Sequence, residues 1–215
     1  AVIADVVNEC GMRALVSATV IDQRSPDARD ARDALENAKK FVTQYQGKYD
    51  RVTPIFGPHA NYTLNAAQLK QTRLAADALN APVSIHMAES RFEMDYSLKY
   101  YQKSSVTMFD SIDFFDGPTI AAHMVWPNDQ EIEILAKKQV GVIYNPTSNM
   151  KTAAGIAPVA KMIGAGIKIG LGTDGAASNN DLDMWEEMRI GALLQKVNGM
   201  DPELLSANEM LAMAT

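Results

Sequence analysis

Apolar and polar positions come in blocks along this chain. Short, near-continuous apolar runs cover residues 13–21, 52–56, 83–86, 119–123, 140–144 and 167–171. Runs of this length, bounded by Gly, Pro or Asn, read as strands covered on both faces. The stretches between them are charged or Ala-rich, with apolar residues near helical spacing. They predict helices over 27–45, 65–79, 92–101, 106–115, 128–138, 156–164, 182–197 and 202–214, with another over 2–9. Asn65 is placed as an N-cap, and Pro127 just precedes a helix start. Asn80-Ala81-Pro82 and Asp116-Gly117-Pro118 are stops, and Gly164-Ala165-Gly166 is a helix C-cap entering a strand.

Strand and helix therefore alternate, as βαβ units require, and the fold class is α/β with a parallel sheet. No linker, internal repeat or low-complexity segment divides residues 1–215, so a single domain is expected. Six strands do not close an eight-stranded barrel. A doubly wound open sheet is the structural alternative, but its Gly-rich phosphate loop is missing from the sequence.

The strand ends carry the chemistry. The run at 53–57 leads to His59, 83–85 to His86 and then Glu89, and 120–122 to His123. The run at 140–144 leads to Asn145, and 167–172 to Asp174. The chain has three histidines, and all of them fall at carboxyl ends of predicted strands. In a parallel α/β barrel those ends converge on the catalytic face, so the positions are read together as one site.

Each residue also has an ordinary structural reading. His86-Met87-Ala88-Glu89 offers an imidazole ligand and an acid–base carboxylate; it also suits a packed histidine and a helix-start Glu. Asp174 follows a glycine-rich buried run, where a carboxylate needs a partner or a metal, and it can equally cap the turn at Gly175. His123 follows two alanines and His59 follows Gly57-Pro58; either can be a packing residue. The shared register favours a metal-hydrolase site.

Composition narrows the setting. The net charge of -6 comes without a Lys/Arg block, which argues against a nucleic-acid partner. The one cysteine, Cys10, rules out an internal disulfide framework and suits a reducing compartment. No run approaches the roughly 20 apolar residues of a membrane helix, and residues 1–8 do not read as a signal peptide. A cytoplasmic protein without a membrane partner is expected, and homo-oligomers are allowed for.

Several runs closely resemble the amidohydrolase superfamily, in the branch of the 5-methylthioadenosine/S-adenosylhomocysteine deaminases and their chlorohydrolase relatives. They are Phe56-Gly57-Pro58-His59, His86-Met87-Ala88-Glu89, Ala122-His123-Met124, Asn145-Pro146-Thr147-Ser148-Asn149-Met150-Lys151, Gly155-Ile156-Ala157-Pro158 and Gly172-Thr173-Asp174-Gly175-Ala176-Ala177-Ser178-Asn179-Asn180. The resemblance spans essentially the whole chain.

It implies a (β/α)8 TIM barrel of the metal-dependent hydrolase type, incomplete here with about six of the eight strands. It also implies one divalent metal, usually zinc. His86 and Asp174 would be metal ligands, and Asp174 would also take a proton from the attacking water. Glu89 would bind the purine and move protons, His123 would hydrogen-bond the water, and His59 would contact the substrate. The implied reaction replaces the exocyclic amine of an adenosine thioether by oxygen and releases ammonia.

The chain departs from the pattern in lacking the His-x-His pair of the first barrel strand. Both ends fall in helical sequence, so it reads as a piece, inactive alone, of a protein about twice its length in the family's barrel plan. Ala18 stands at a plausible position for a carboxylate-binding arginine, while Arg24, Arg29 and Arg32 lie nearby. Two other functions remain open: hydrolysis of an s-triazine or related heterocycle, and a non-catalytic barrel scaffold.

Overall fold

The computed structural model describes all 215 residues, Ala1–Thr215. Six strands are present: β1 (Ala14–Val20), β2 (Val52–Pro58), β3 (Val83–Met87), β4 (Thr119–His123), β5 (Gly141–Tyr144) and β6 (Ile169–Leu171). They form one parallel sheet in the order β1-β2-β3-β4-β5-β6. The helices are α1 (Val2–Glu9), α2 (Ala31–Tyr45), α3 (Ala66–Ala78), α4 (Arg91–Tyr101), α5 (Ser105–Asp110), α6 (Asp129–Lys137), α7 (Pro146–Lys151), α8 (Val159–Gly164), α9 (Met184–Gly199) and α10 (Ala207–Ala214). None of them is long and apolar enough to cross a membrane.

Every expected strand forms, with ends shifted by a few residues. The helix expected over 106–115 does not run through. α5 stops at Asp110 and a separate 3-10 turn covers Phe114–Asp116. Asp113 lies between them with φ 57°, a left-handed conformation that an α-helix cannot carry. The short helix α7 was not expected. It follows β5 directly and has Pro146 at its first position, where the missing N–H has no helical partner to lose.

The chain packs as two compact units, Ala1–Ile85 with Ser111–Thr119, and His86–Asp110 with Ile120–Thr215. In the first, β1 and β2 pair in register from Ala14↔Val52 to Val20↔Pro58. Ala4, Val16, Tyr45 and Val52 form a buried cluster that joins α1 and α2 to these strands. Asp5 ties α1 down, accepting from the hydroxyls of Tyr45 at 3.0 Å and Tyr49 at 2.8 Å. Asn65 and Gln68 cap α3 reciprocally, as the sequence led one to expect for Asn65.

In the second unit β4 pairs with β5 from Ile120↔Gly141, and β5 with β6 from Val142↔Ile169. The strand ends leave ordinary backbone space. Ala88, His123, Met124 and Asp174 all have positive φ, at 49°, 75°, 46° and 60°. Left-handed geometry costs a non-glycine residue about 1–2 kcal/mol. Four such residues at or just past the ends of β3, β4 and β6 mark where the fold holds strain, as functional sites often do.

Candidate active site

Alternation along β3 places Val83, Ile85 and Met87 in the core, and leaves Ser84 and His86 half-buried. β4 ends on His123, which is 1% exposed. The two imidazoles stack, with ring centroids 5.5 Å apart and planes 26° from parallel. Nε2 of His123 stands 3.8 Å from Oε2 of Glu89 and 4.0 Å from Oδ2 of Asp174. His86, Glu89, His123 and Asp174 are thus neighbours in the second unit, as the strand-end pattern led one to expect. His123 faces two carboxylates at distances too long for direct hydrogen bonds, and well suited to a shared third polar atom.

The other ring nitrogen is also engaged. His123 Nδ1 lies 2.9 Å from Oδ1 of Asn149 and 3.4 Å from Nδ2 of Asn145. Nδ1 thus faces the two side-chain amides, and Nε2 faces the carboxylates. Nδ2 of Asn149 is buried with no hydrogen-bond partner. Asn145 is held by a close approach of backbone. A Cβ at Gly172 would stand 2.6 Å from Asn145 Oδ1 and 2.8 Å from Ile143 Cγ2, so a larger residue there would have to push these side chains aside.

Asp174 is gripped by its own loop and by α7. Ser148 Oγ donates to Oδ2 at 2.7 Å, Ser178 Oγ to the same oxygen at 2.9 Å, and the backbone N–H of Gly175 to Oδ1 at 2.8 Å. Burial pushes this carboxyl up. The two hydroxyls, the Gly175 N–H and nearby His123 outweigh burial and hold it below the ordinary value of 3.8. The bond to Gly175 is the turn cap that the sequence allowed, and it coexists with the site contacts.

Deeper in, Glu187 is 1% exposed and links both supporting loops. It accepts from Nδ2 of Asn179 at 2.7 Å and from the N–H of Thr147 at 3.2 Å. Outside, Lys151 Nζ donates to the carbonyl of Ala177 at 3.0 Å and bonds the side chain of Asn180.

Asn149, Ser148 and Ser178 lie within the runs at 145–151 and 172–180, where sequence pattern alone assigns them no role. The signal for two of them was available: Asn145, Ser148 and Asn149 are spaced i, i+3 and i+4, which puts them on one side of a helical turn.

His59 belongs to the other unit. Its N–H donates to the carbonyl of Val20 at 3.0 Å, and its Nδ1 meets Thr63 Oγ1 at 3.0 Å. Its ring lies edge-on to Tyr62, with centroids 5.8 Å apart. Arg29 is paired with Asp33, through Nη2 at 3.0 Å and through Nε. Cys10 is exposed.

No group of three or more His, Cys, Asp or Glu side chains is arranged to hold a metal ion. A catalytic zinc usually takes three protein ligands. The residues of this chain therefore fit a metal only as part of a larger donor set.

A model of the amidohydrolase family matches residues 2–215. The chain belongs to the amidohydrolase family. It is 44% identical over 214 residues to a 5-methylthioadenosine/S-adenosylhomocysteine deaminase of Carboxydothermus hydrogenoformans, covering 99% of this chain and 49% of that protein. A 5'-deoxyadenosine deaminase of Methanococcoides burtonii is 42% identical over 210 residues, covering 97% and 48%.

Among solved structures, an adenosine deaminase of Xanthomonas campestris with bound zinc superposes with a TM-score of 0.94 at 34% identity, over 99% of this chain and 48% of that one. A triazine hydrolase variant superposes with a TM-score of 0.88 at 20% identity, which shows the fold alone. This amidohydrolase chain thus spans about half the length of the curated relatives it matches. Its parallel six-stranded sheet with flanking helices is the corresponding part of the TIM barrel those structures share.

Proposed function

We propose that this chain carries part of the active site of a metal-dependent hydrolytic deaminase acting on an adenosine thioether, 5-methylthioadenosine or S-adenosylhomocysteine. The observation that carries the reading is the meeting of Glu89 and Asp174 around Nε2 of His123. It is supported by the names of relatives at 41–44% identity. The reaction converts the 6-amino purine and water into the 6-oxo purine and ammonia.

The proposed cofactor is one divalent cation, zinc by analogy with the Xanthomonas enzyme. His86 and Asp174 would be two of its ligands, with the remainder contributed from outside this chain. When bound, such an ion makes water more acidic and so supplies a nucleophile near neutral pH.

The chain's own residues account for the rest. Asp174, its carboxylate kept ionised by three hydrogen bonds, accepts a proton from the attacking water. His123, met at Nδ1 by Asn149, orients that water through Nε2. Glu89, 22% exposed at its side chain and facing the same space, carries a proton to the ring nitrogen beside the carbon under attack. His59 is proposed as a substrate contact. The one cysteine suits a reducing compartment, and the cytoplasm is the proposed location.

The test is ammonia release by the full-length protein from a panel of adenosine thioethers, other nucleosides and amino-triazines, with metal content measured alongside. Asp174→Ala is expected to abolish turnover with the fold intact; turnover within a few-fold of wild type would rule out its role as proton acceptor. Glu89→Gln is expected to slow turnover strongly while metal is retained, and loss of metal would instead make Glu89 a ligand. Turnover of triazines alone would favour the heterocycle hydrolase. Absence of both metal and turnover would favour a scaffold.

A further inference from the structure

The first turn of α4 carries a buried carboxylate that the proposed reaction does not use. Glu93 is 0% exposed, and three donors converge on it. The N–H of Ala88 and the hydroxyl of Ser105 donate to Oε1 at 2.8 and 2.6 Å, and the N–H of Glu89 donates to Oε2 at 2.8 Å.

A Ser-x-x-Glu helix start ordinarily closes a capping box, with the Glu turned back onto the N–H of its own N-cap. Here Ser90 does cap α4, accepting from the N–H of Glu93 at 3.3 Å. Glu93, however, reaches past Ser90 to the two residues before it. The helix start needs only the serine, so the carboxylate serves the preceding turn.

That turn needs holding. Ala88 has a φ of 49°, unfavourable for any residue with a Cβ. Its carbonyl accepts from the N–H groups of Val125 and Trp126, both at 2.9 Å, in the loop after His123. The peptide units that lead into Glu89 are thus gripped on the carbonyl side by the β4 loop and on the N–H side by Glu93. A carboxylate buried this deeply needs its partners, and two of its three are consecutive amides at the base of Glu89.

We propose that Glu93 is a positioning residue: it clamps the amides of Ala88 and Glu89 and so sets the place from which the Glu89 carboxylate works. This rests on the reading of Glu89 as proton carrier given above.

Two variants of the full-length protein test it. Glu93→Gln keeps the shape and replaces one acceptor oxygen by a donor; Glu93→Asp keeps the charge and withdraws it by one methylene. Amide hydrogen exchange at Ala88 and Glu89 is expected to speed up by about tenfold or more in either variant, with the neighbouring β3 amides unchanged. The kcat is expected to fall about 10- to 100-fold at unchanged metal content, with KM little altered. The decisive comparison is the double variant Glu89→Gln/Glu93→Gln. If Glu93 acts through Glu89, its kcat stays within about twofold of Glu89→Gln alone.

A merely structural Glu93 would add its full factor on that background, and this result overturns the proposal. Slow exchange at both amides in the variants overturns it as well, whatever the activity. Rapid exchange in a protein that releases no ammonia would support the clamp and count against the deaminase reading alone. If Glu93→Gln does not fold, Glu93→Asp and the milder Ser105→Ala carry the same readouts, with smaller changes expected for the serine variant.

Discussion

Nδ1 of His123 lies 2.9 Å from Oδ1 of Asn149, on the side of the ring away from Glu89 and Asp174, which face Nε2. Replacing Asn149 by Ala removes this contact from a buried ring nitrogen. The expected loss of stability is about 1–3 kcal/mol, measured by denaturant unfolding of the full-length protein. The kcat should fall by about 10- to 100-fold, as for other residues that orient a site group through a second hydrogen bond. Steady-state kinetics with unchanged kcat would show that the ring is held by something else.

Asp174 receives two hydroxyls on one oxygen. Ser148→Ala and Ser178→Ala should each cause a small loss of activity, and the double variant about a 10- to 100-fold loss. A double-variant factor equal to the product of the singles would mean that each hydroxyl acts alone. A larger factor would show that either one suffices to hold the carboxylate.

Gly172→Ala places a Cβ 2.6 Å from Asn145 Oδ1, within β6's exit and beside the His123 contact. The side chains must move, and overpacking of this kind costs about 1–3 kcal/mol. A lower unfolding midpoint together with reduced kcat is expected; a variant matching wild type in both would show that Asn145 has room to shift.

Asp5 offers a dependence on pH. Its carboxyl is held below 3.8, chiefly by the Tyr49 hydroxyl and then by Lys48 and Tyr45 against some burial. A depressed folded pKa means that the stabilising contribution is present above the ordinary carboxylate range and is lost as pH falls through the lowered value. Amide protection factors in α1, corrected for the intrinsic slowing of exchange in acid, should therefore fall below about pH 4. Asp5→Asn should show faster exchange at neutral pH and lose that acid-dependent step.

The placement of much of the candidate site was legible from local sequence. His86, His123 and Asp174 follow short apolar runs, and a parallel strand delivers its terminal residue to one end of the sheet whatever lies elsewhere. Glu89 was legible from its spacing to His86. The break after Asp110 was not, because a left-handed Asp113 depends on local packing that helical periodicity does not report. Asn149 carries no legible role in its motif, since an amide becomes informative only once the atom it bonds is known. Glu93 carried a helix-start signal whose true partners lie before the cap.

The order of apolar runs, the residues closing them and the alternation with helices follow from the sequence alone, because strand burial and helix periodicity are local properties of the side chains. Tertiary structure decided the rest: that His123 Nε2 faces two carboxylates, that Asn149 takes the other ring nitrogen, and that Glu93 bonds two amides rather than its own cap. Those outcomes depend on distances between residues from different strands and loops, which are set only when the sheet and its helices pack.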